Sequence, residues 1–525
     1  MKFMSYDQNQ SYLLPPTLKE CLPADHICFT VDSVVNKLDL SEIEKDYTEE
    51  GHPAYNPRIM IKILFYGYLQ GVRSSRKLEN KTSEDIVCRY LTGNAHLDHG
   101  TINLFRKKHL LKLSLIFMQI IATIKILGLA DFSDISIDGT KIKAQASRQN
   151  LFTKDDIAKL KTKMETFLSE SLVVDENEDE KFGDKRGYNQ IPEQMIDKKI
   201  NQEEVRRVQK KLADLDKADK EIERRQDEAK AIDKKEGKTE KGRREQDKTN
   251  NLASNTTDPE SALLKMKDGS FKMAYNVGIA ASKQFIVAYD ITSDPSDTKS
   301  LPQMIEKTEK NTGQKVAKAK ADSAYFTKDN IKFLDDNQTE AFIPDTLMRL
   351  EERKEDKAER ENLENRYDRK NFIYDEKNSQ FVCPDGKPLK FKQNNKNGST
   401  IYKGSECQNC INRKLCTKGG ARHLAIDFEL EKIRTAMRTK LNTDTGKQKY
   451  GERLPEIEPV MASIKCDQNF TEFLCRGKEM ALIEIGLAAI AHNIKKMYFG
   501  LKRRSIKQKD ISWNSPMGVQ KMQII

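Results

Sequence analysis

The stretch Phe132–Ala144, FSDISIDGTKIKA, decides how the chain is read. Apolar Phe132, Ile135 and Ile137 are interleaved with polar residues until Gly139 breaks the run, which predicts a buried strand with Asp138 where it ends. Two later stretches look made to meet that carboxylate. In VAKAKADSAYFT (Val316–Thr327) a short strand again ends at an acid, Asp322, and in YGERLPEIEPVMASIK (Tyr450–Lys465) Glu458 sits on an expected helix, with Glu456 as a nearby rival. Cleaving or transferring a phosphodiester with two Mg²⁺ ions needs hard oxygen ligands that hold the ions roughly 4 Å apart, and three carboxylates from separate elements suffice. A lone Asp at a strand end is more often a turn former, so the weight rests on the set. Glu458 and Lys465 are seven apart and share a helix face, so the acid could bind metal while Lys465 and Arg453 contact phosphate. Pro459, directly after the acid, suits a first helical turn and places Glu458 at a helix start.

Outward from the first strand, Asn150 to about Asn251 reads as an insertion. Of the 50 residues Asn201–Asn250, 30 are charged, and the sparse apolar Val205, Val208, Leu212 and Leu215 recur at three and four. That spacing predicts an amphipathic helix, half of a hairpin or short coiled coil, followed by a disordered Lys/Glu/Gly tail. Lys272–Ser282 and Phe285–Asp294 then read as an antiparallel pair across a two-residue turn. A helix near Ser300–Asn311, the Asp322 strand, a helix around Lys328–Asp336 and a strand Glu340–Thr346 complete a mixed α/β sheet, in the element order of a ribonuclease-H-like core.

Residues 1 to about 128 read as helical. Asn56 and Pro57 cap RIMIKILFYGYLQ, which is apolar on more than one face and therefore central. The chain turns at Gly71, runs through SSRKLENKTSEDIVCRYLTG to Gly93, and continues in one long helix from Thr101. Arg73, Arg76, Lys77, Arg106, Lys107 and Lys108 near the junctions could make a small DNA-binding bundle of helix-turn-helix type; the plain alternative is a packing domain with solvated charges. His96, His99 and His109 bracket a basic turn. His492, on a strongly apolar helix, reads as a core residue, and Glu484 on that helix as a structural polar contact.

The 525 residues are 37% hydrophobic and 33% charged, with mean hydropathy −0.74 and net charge +11, a balance compatible with a polyanion partner. Apolar runs such as LIFMQII and ALIEIGLAAIA are too short or interrupted to span a bilayer, and MKFMSYDQNQSYLL is no signal peptide, so a cytoplasmic, nucleoid-associated location is expected. Nine cysteines without an export signal favour thiols or a metal over disulfides. Cys383, Cys407, Cys410 and Cys416 have the clustering of a four-thiolate structural Zn²⁺ site, whereas Cys21, Cys28, Cys88, Cys466 and Cys475 read as packing residues.

These stretches together resemble a bacterial insertion-sequence DDE transposase with a helical amino-terminal transposase domain. The resemblance is carried by YNPRIMIKILFYGYLQGVRSSRKLE, SIDGTKIKA, DPESALLKMKDGSFKMAYNVGIA, ADSAYF, the Tyr450–Lys465 block and FLCRGKEMALIEIGLAAIAHNIKKM, in that order as far as about Leu501. Met461-Ala462 stands where the family's aromatic-glycine follows the EPV triplet, and Arg453 is one residue farther from the acid than in the tighter signature. The resemblance implies that Asp138, Asp322 and Glu458 bind Mg²⁺ or Mn²⁺, with Tyr450, Arg453 and Lys465 as the signature around the Glu. It also implies DNA strand cleavage and transfer at terminal inverted repeats, with a homodimer on DNA because both ends are processed together. A metal-dependent nuclease of the same fold, or an inactive DNA-binding descendant, is the alternative. The expected division is a helical DNA-binding and dimerisation domain (1–128), a ribonuclease-H-like core (129–149, 252–347 and 450–501), a charged helical insertion (150–251), a zinc-ribbon-like insertion (348–449) and a tail (502–525).

Overall fold

The computed structural model of the protein describes residues 16–47, 53–182, 202–236, 252–346, 348, 366–395 and 398–503. The Lys/Glu/Gly tail of the first insertion, most of the charged stretch before the cysteines, and the terminal tail with Trp513 lie outside the described residues. The central sheet is mixed, as the order of elements predicts. It contains β1 (Asp134–Lys143), β4 (Ala262–Lys265), β5 (Phe271–Ser282), β6 (Phe285–Thr292), β7 (Lys318–Ala321) and β8 (Glu340–Phe342), ordered β4-β5-β1-β7-β8 with β6 also on β5. β1 is antiparallel to β5 and parallel to β7, and β7 is parallel to β8. Lys283 and Gln284, at φ 47° and 67°, make the two-residue turn between β5 and β6, a conformation that matches the strands' own twist.

Helices cover both ends of the chain's core. Asn56 accepts from Arg58 N at 2.9 Å and Pro57 opens the helix Pro57–Leu69, whose Met60, Ile61, Ile63, Leu64, Phe65 and Tyr68 are all buried. Each such buried side chain contributes about 1.5–3 kcal/mol, so this all-round apolar helix anchors the amino-terminal bundle. Two expected continuous helices are broken. Asp85 accepts from Val87 N and Cys88 N and so starts a new helix, Ile86–Thr92, after Ser75–Glu84; a 3-10 turn at Leu110–Lys112 separates His99–His109 from Leu113–Ile126. His99–Ile126 together is long and apolar enough to cross a membrane, contrary to the expectation from the sequence, but half of it is buried in this fold.

The helices Lys154–Phe182 and Gln202–Glu236 pack together through Ile157, Leu215, Ala218 and Ile222, with Lys161 paired to Asp216 and Asp219 at 2.8 Å. At their base β2 (Leu151–Thr153) pairs with β3 (Ala253–Asn255), and Arg225 donates to Pro259 O at 2.6 Å. The cysteine segment is a separate five-stranded antiparallel sheet of β9 (Ile373–Asp375), β10 (Gln380–Val382), β11 (Pro388–Asn394), β12 (Thr400–Gly404) and β13 (His423–Ile426). Its core is only Phe372, Phe381, Leu389, Tyr402, Leu424 and Ile426.

Candidate active site

Strand alternation and register build the site. Ser136 pairs with Lys320 and Ile137 with Ala321, the last parallel pair, and Asp138 and Asp322 follow one step later on one face. β1 does not stop at Asp138 as the sequence suggests but runs on against β5 to Lys143, so Asp322 lies just past the carboxyl end of β7 and Asp138 where the parallel pairing of β1 with β7 ends. That is where open α/β sheets hold ligands. Asp138 accepts from Gly139 N at 3.0 Å and Asp322 from Ser323 N at 2.6 Å. Burial pushes the Asp138 carboxyl above its ordinary range; Arg453 opposes this, while Asp322 and Asp297 add to it.

The helix Arg453–Ala462 lies over this face. Arg453 is 6% exposed, its Nη1 is 3.9 Å from Asp138 Oδ2, and its Nε and Nη1 have no hydrogen-bond partner among the described residues. A buried guanidinium with unmet donors beside a carboxylate suits an anionic oxygen arriving at the site. Below it is a buried charge cluster that the sequence did not announce. Lys320, with a fully buried side chain, is 2.8 Å from Asp134, 2.7 Å from Glu456 and 3.6 Å from Glu452, and Ser136 donates to Glu456 at 2.5 Å. Glu456 is thereby engaged in holding the helix to the sheet, while Glu458 is exposed and has no ion pair among the described residues.

Pro459 is interior to this helix, not in its first turn, so Glu458 sits mid-helix. Pro459 lacks the N–H that would reach the carbonyl of Pro455. Gln284 supplies it instead, donating from Nε2 at 2.8 Å, so the hairpin turn completes the helix that carries the acid.

Lys465 lies in a π turn after the helix. Burial pulls its amine below the ordinary value, with Lys267 adding to this and Asp138 opposing it. Tyr450 is half-buried against the main core. Among the described residues no three His, Cys, Asp or Glu side chains are close enough together to hold a metal as they stand. The carboxylates still supply the oxygen donors Mg²⁺ prefers, and the unmet Arg453 donors fit a site built for further negative charge.

Two expected DNA contacts are corrected. Arg73 is 8% exposed and donates to Glu472 O at 2.8 Å and Asn469 O at 3.2 Å, lies 3.3 Å from Glu484, and stacks 4.3 Å over Phe470. Arg106 is 4% exposed and donates to Arg73 O at 2.7 Å. Both guanidinium groups are used inside the protein, whereas Arg76, Lys77, Lys107 and Lys108 are exposed. Glu484 accepts from Leu474 N at 3.0 Å as well as facing Arg73, a structural contact. His492 is buried with Nε2 2.8 Å from Gln284 O, and burial lowers its pKa to about 4.

The four cysteines Cys383, Cys407, Cys410 and Cys416 line one cavity at the end of the small sheet. Lys387 N points at Cys383 Sγ at 3.3 Å, and a Cβ on Gly404 would stand 2.3 Å from Cys407 Sγ. Burial raises the Cys416 thiol, with Arg422 opposing and the other three thiols adding to the rise.

Two family models match the chain: "Transposase DDE domain" over residues 382–498 and "Transposase domain (DUF772)" over residues 16–108. The first includes the cysteine cavity, Arg453, Glu458 and Lys465; Asp138 and Asp322 lie outside both. Nothing matches among curated proteins or solved structures. A transposase family model thus matches toward each end of the chain, with Asp138 and Asp322 between the two, and these matches support an insertion-sequence DDE transposase.

Proposed function

We propose that the protein binds the ends of its insertion sequence and catalyses DNA strand cleavage and strand transfer on a ribonuclease-H-like core. The observation that carries this is the placement of Asp138 and Asp322 side by side where the parallel pairing of β1 and β7 ends, with the unmet donors of Arg453 beside Asp138. Asp138, Asp322 and Glu458 would hold divalent cations, Mg²⁺ or Mn²⁺. When bound, such ions activate an attacking oxygen and stabilise the leaving one. Arg453 and Lys465 would neutralise the phosphate beside Asp138, and Lys267, Arg76, Lys77 and Lys107, all exposed, are available to further backbone phosphates. Glu458 is free of ion pairs among the described residues, as a side chain that must turn to a ligand requires. Because two element ends are joined in one event, the working form is a homodimer on DNA.

The test is a cleavage and joining assay on DNA flanking the gene, with Mg²⁺ or Mn²⁺, comparing the full chain with Asp138→Ala. Metal-dependent nicks at a defined end followed by joined products, absent in the variant, are expected. Cutting without joining would make the protein a nuclease, and DNA binding without cutting would make it an inactive descendant.

The cavity of four thiols supports a second assignment, a structural Zn²⁺ held by Cys383, Cys407, Cys410 and Cys416. Six buried apolar side chains are few for a five-stranded sheet, and a metal would supply what that core lacks. Co²⁺ substitution should give thiolate charge-transfer absorption that disappears in Cys407→Ser. Protein purified with less than one Zn²⁺ per two chains, and taking up none on reconstitution, would overturn it.

A further inference from the structure

The acids expected from the sequence are three, but a fourth carboxylate stands against β1 at Gly139, the residue after Asp138. Asp297 opens the 3-10 turn Asp297–Lys299 before the helix Leu301–Thr312, whose Met304 packs on Gly278 and so covers the face of the sheet opposite to Asp138. It reaches the strand over Gly139. A Cβ there would clash with the Asp297 carboxylate, so any side chain at position 139 would fill the place that carboxylate occupies. Asn276, on the same face of β5, donates to Asp297 Oδ1 at 2.5 Å and fixes the group in that notch.

Two observations indicate that this cluster is built for a ligand, not merely tolerated. Tyr325 is 1% exposed, and its hydroxyl, although Ser300 is near, makes no hydrogen bond of good geometry among the described residues. It lies within the electrostatic reach of Asp297, Asp138 and Asp322 alike. Arg453, equally buried, has unmet donors on the other side of Asp138. Burial also raises the Asp297 carboxyl; Asn276 and Lys141 oppose the rise and Asp322 adds to it. Arg453, 3.9 Å from Asp138, and Lys141, acting on Asp297, offset only part of the repulsion among these carboxylates, and the pKa values of Asp138 and Asp297 stay raised. With no bulk at Gly139 to separate them, the most direct relief is a divalent ion.

We propose that Asp297 is a fourth carboxylate of the metal centre, binding the divalent cation or a water of its shell from the opposite face of β1. This rests on the assignment of Asp138 and Asp322 as metal ligands. The full chain, freed of metal, is titrated with Mn²⁺ and followed by electron paramagnetic resonance of the free ion and by thermal unfolding. Wild type, Asp138→Asn, Asp297→Asn and Asp297→Glu are compared. Asp297→Asn should weaken Mn²⁺ binding by about 10- to 100-fold. The same variant should unfold at a higher temperature than wild type without metal, because a like charge is gone, and gain less when Mn²⁺ is added. Asp297→Glu should recover part of the binding.

If Asp138→Asn abolishes Mn²⁺ binding while Asp297→Asn binds as wild type, Asp297 is no part of the centre. An Asp297→Asn protein that is destabilised equally with and without Mn²⁺ would make it a turn former held by Asn276 and would likewise exclude it from the centre. If Asp138→Asn itself leaves binding intact, the acids are not the metal site and the proposed function fails with it.

Discussion

Exchanging Glu456 and Glu458 separately for Gln distinguishes a carboxylate that holds the fold from one that acts on a ligand. Glu456 touches the fully buried Lys320 at 2.7 Å and accepts from Ser136 at 2.5 Å. Removing one partner of a buried charge typically costs about 3–5 kcal/mol, but Asp134 stays 2.8 Å from Lys320 and shares its charge, so about 2–3 kcal/mol is expected for Glu456→Gln. Glu458 is exposed and engages no ion pair among the described residues, so Glu458→Gln should change stability by no more than about 0.5 kcal/mol. The catalytic outcome runs the other way. A metal centre stabilises a transition state by several kcal/mol, and at about 1.36 kcal/mol per decade the loss of one ligand should cut strand cleavage by about 10³-fold in Glu458→Gln. Glu456→Gln should keep its rate at temperatures where it remains folded. Urea denaturation gives the stabilities and single-turnover nicking of an end substrate gives the rates. If Glu456→Gln lost cleavage at unchanged stability while Glu458→Gln still cut, the third acid would be Glu456 and the role given to the Lys320 cluster would be wrong.

Arg73→Ala strands the buried Glu484 and removes two backbone contacts, which should cost about 3–5 kcal/mol while leaving the salt dependence of DNA binding unchanged. Lys107→Ala should leave stability alone and lower the slope of log affinity against log salt by about one, measured by fluorescence anisotropy. Without metal, Asp138→Asn should raise the unfolding temperature at pH 7: a carboxyl whose folded pKa is raised contributes stability at low pH that is lost as pH rises through that pKa, and the amide has none to lose. His492 gives the opposite dependence. Its pKa falls from an ordinary 6.5 to about 4 in the fold, so its neutral burial favours the fold above pH 6.5. That contribution is lost as pH falls toward 4, on the order of 3 kcal/mol across the window. His492→Asn should flatten that fall in urea titrations.

What the sequence discloses and what it hides follow from the range of the interactions involved. The apolar pattern of Phe132–Ile137, the Asn56-Pro57 cap and the Lys283-Gln284 turn are local, and each forms as its neighbours dictate. Asp138 and Asp322 are legible because a polar residue where an apolar alternation stops is a local signal too. Arg73 misleads because its partners Glu472 and Glu484 lie about 400 positions away; from its neighbours alone it looks like one more basic residue at a turn. Lys320 is hidden the same way: KAKA alternates like a strand with its lysines in water, and only the helix bearing Glu456 closes over that face. Pro459 suggests a helix start until Gln284, from a distant hairpin, is seen to replace its missing donor. Asp297 sits in DPSDTKS, which reads as turn chemistry; the sequence clue is the Gly directly after Asp138, whose missing side chain is the space Asp297 fills.

The same long-range contacts tie the two ends of the chain to the acids between them. Arg73, from the amino-terminal bundle, reaches the 469–472 segment, and Glu472 on that segment pairs with Lys143 of β1 at 2.9 Å. Gly71, at φ 69°, lies so close to the turn carrying Asp467 that a Cβ would stand 3.3 Å from its carbonyl. Glu484 then fastens the long carboxyl-terminal helix to Arg73, and Asn493 on that helix exchanges two 2.8 Å hydrogen bonds with Ile286 of β6. The Lys143–Glu472 pair is half-exposed, but the Arg73–Glu484 pair is buried, and a buried ion pair resists the loss of either partner more than it adds to stability. Their consequence is therefore geometric: exposed Lys107, next in the chain to the Arg106 that donates to Arg73, is connected to β1 and Asp138 through packed elements. If the bundle binds DNA, as proposed, that DNA would meet Asp138 and Asp322 in one register, a constraint that a flexibly tethered DNA-binding domain would not impose.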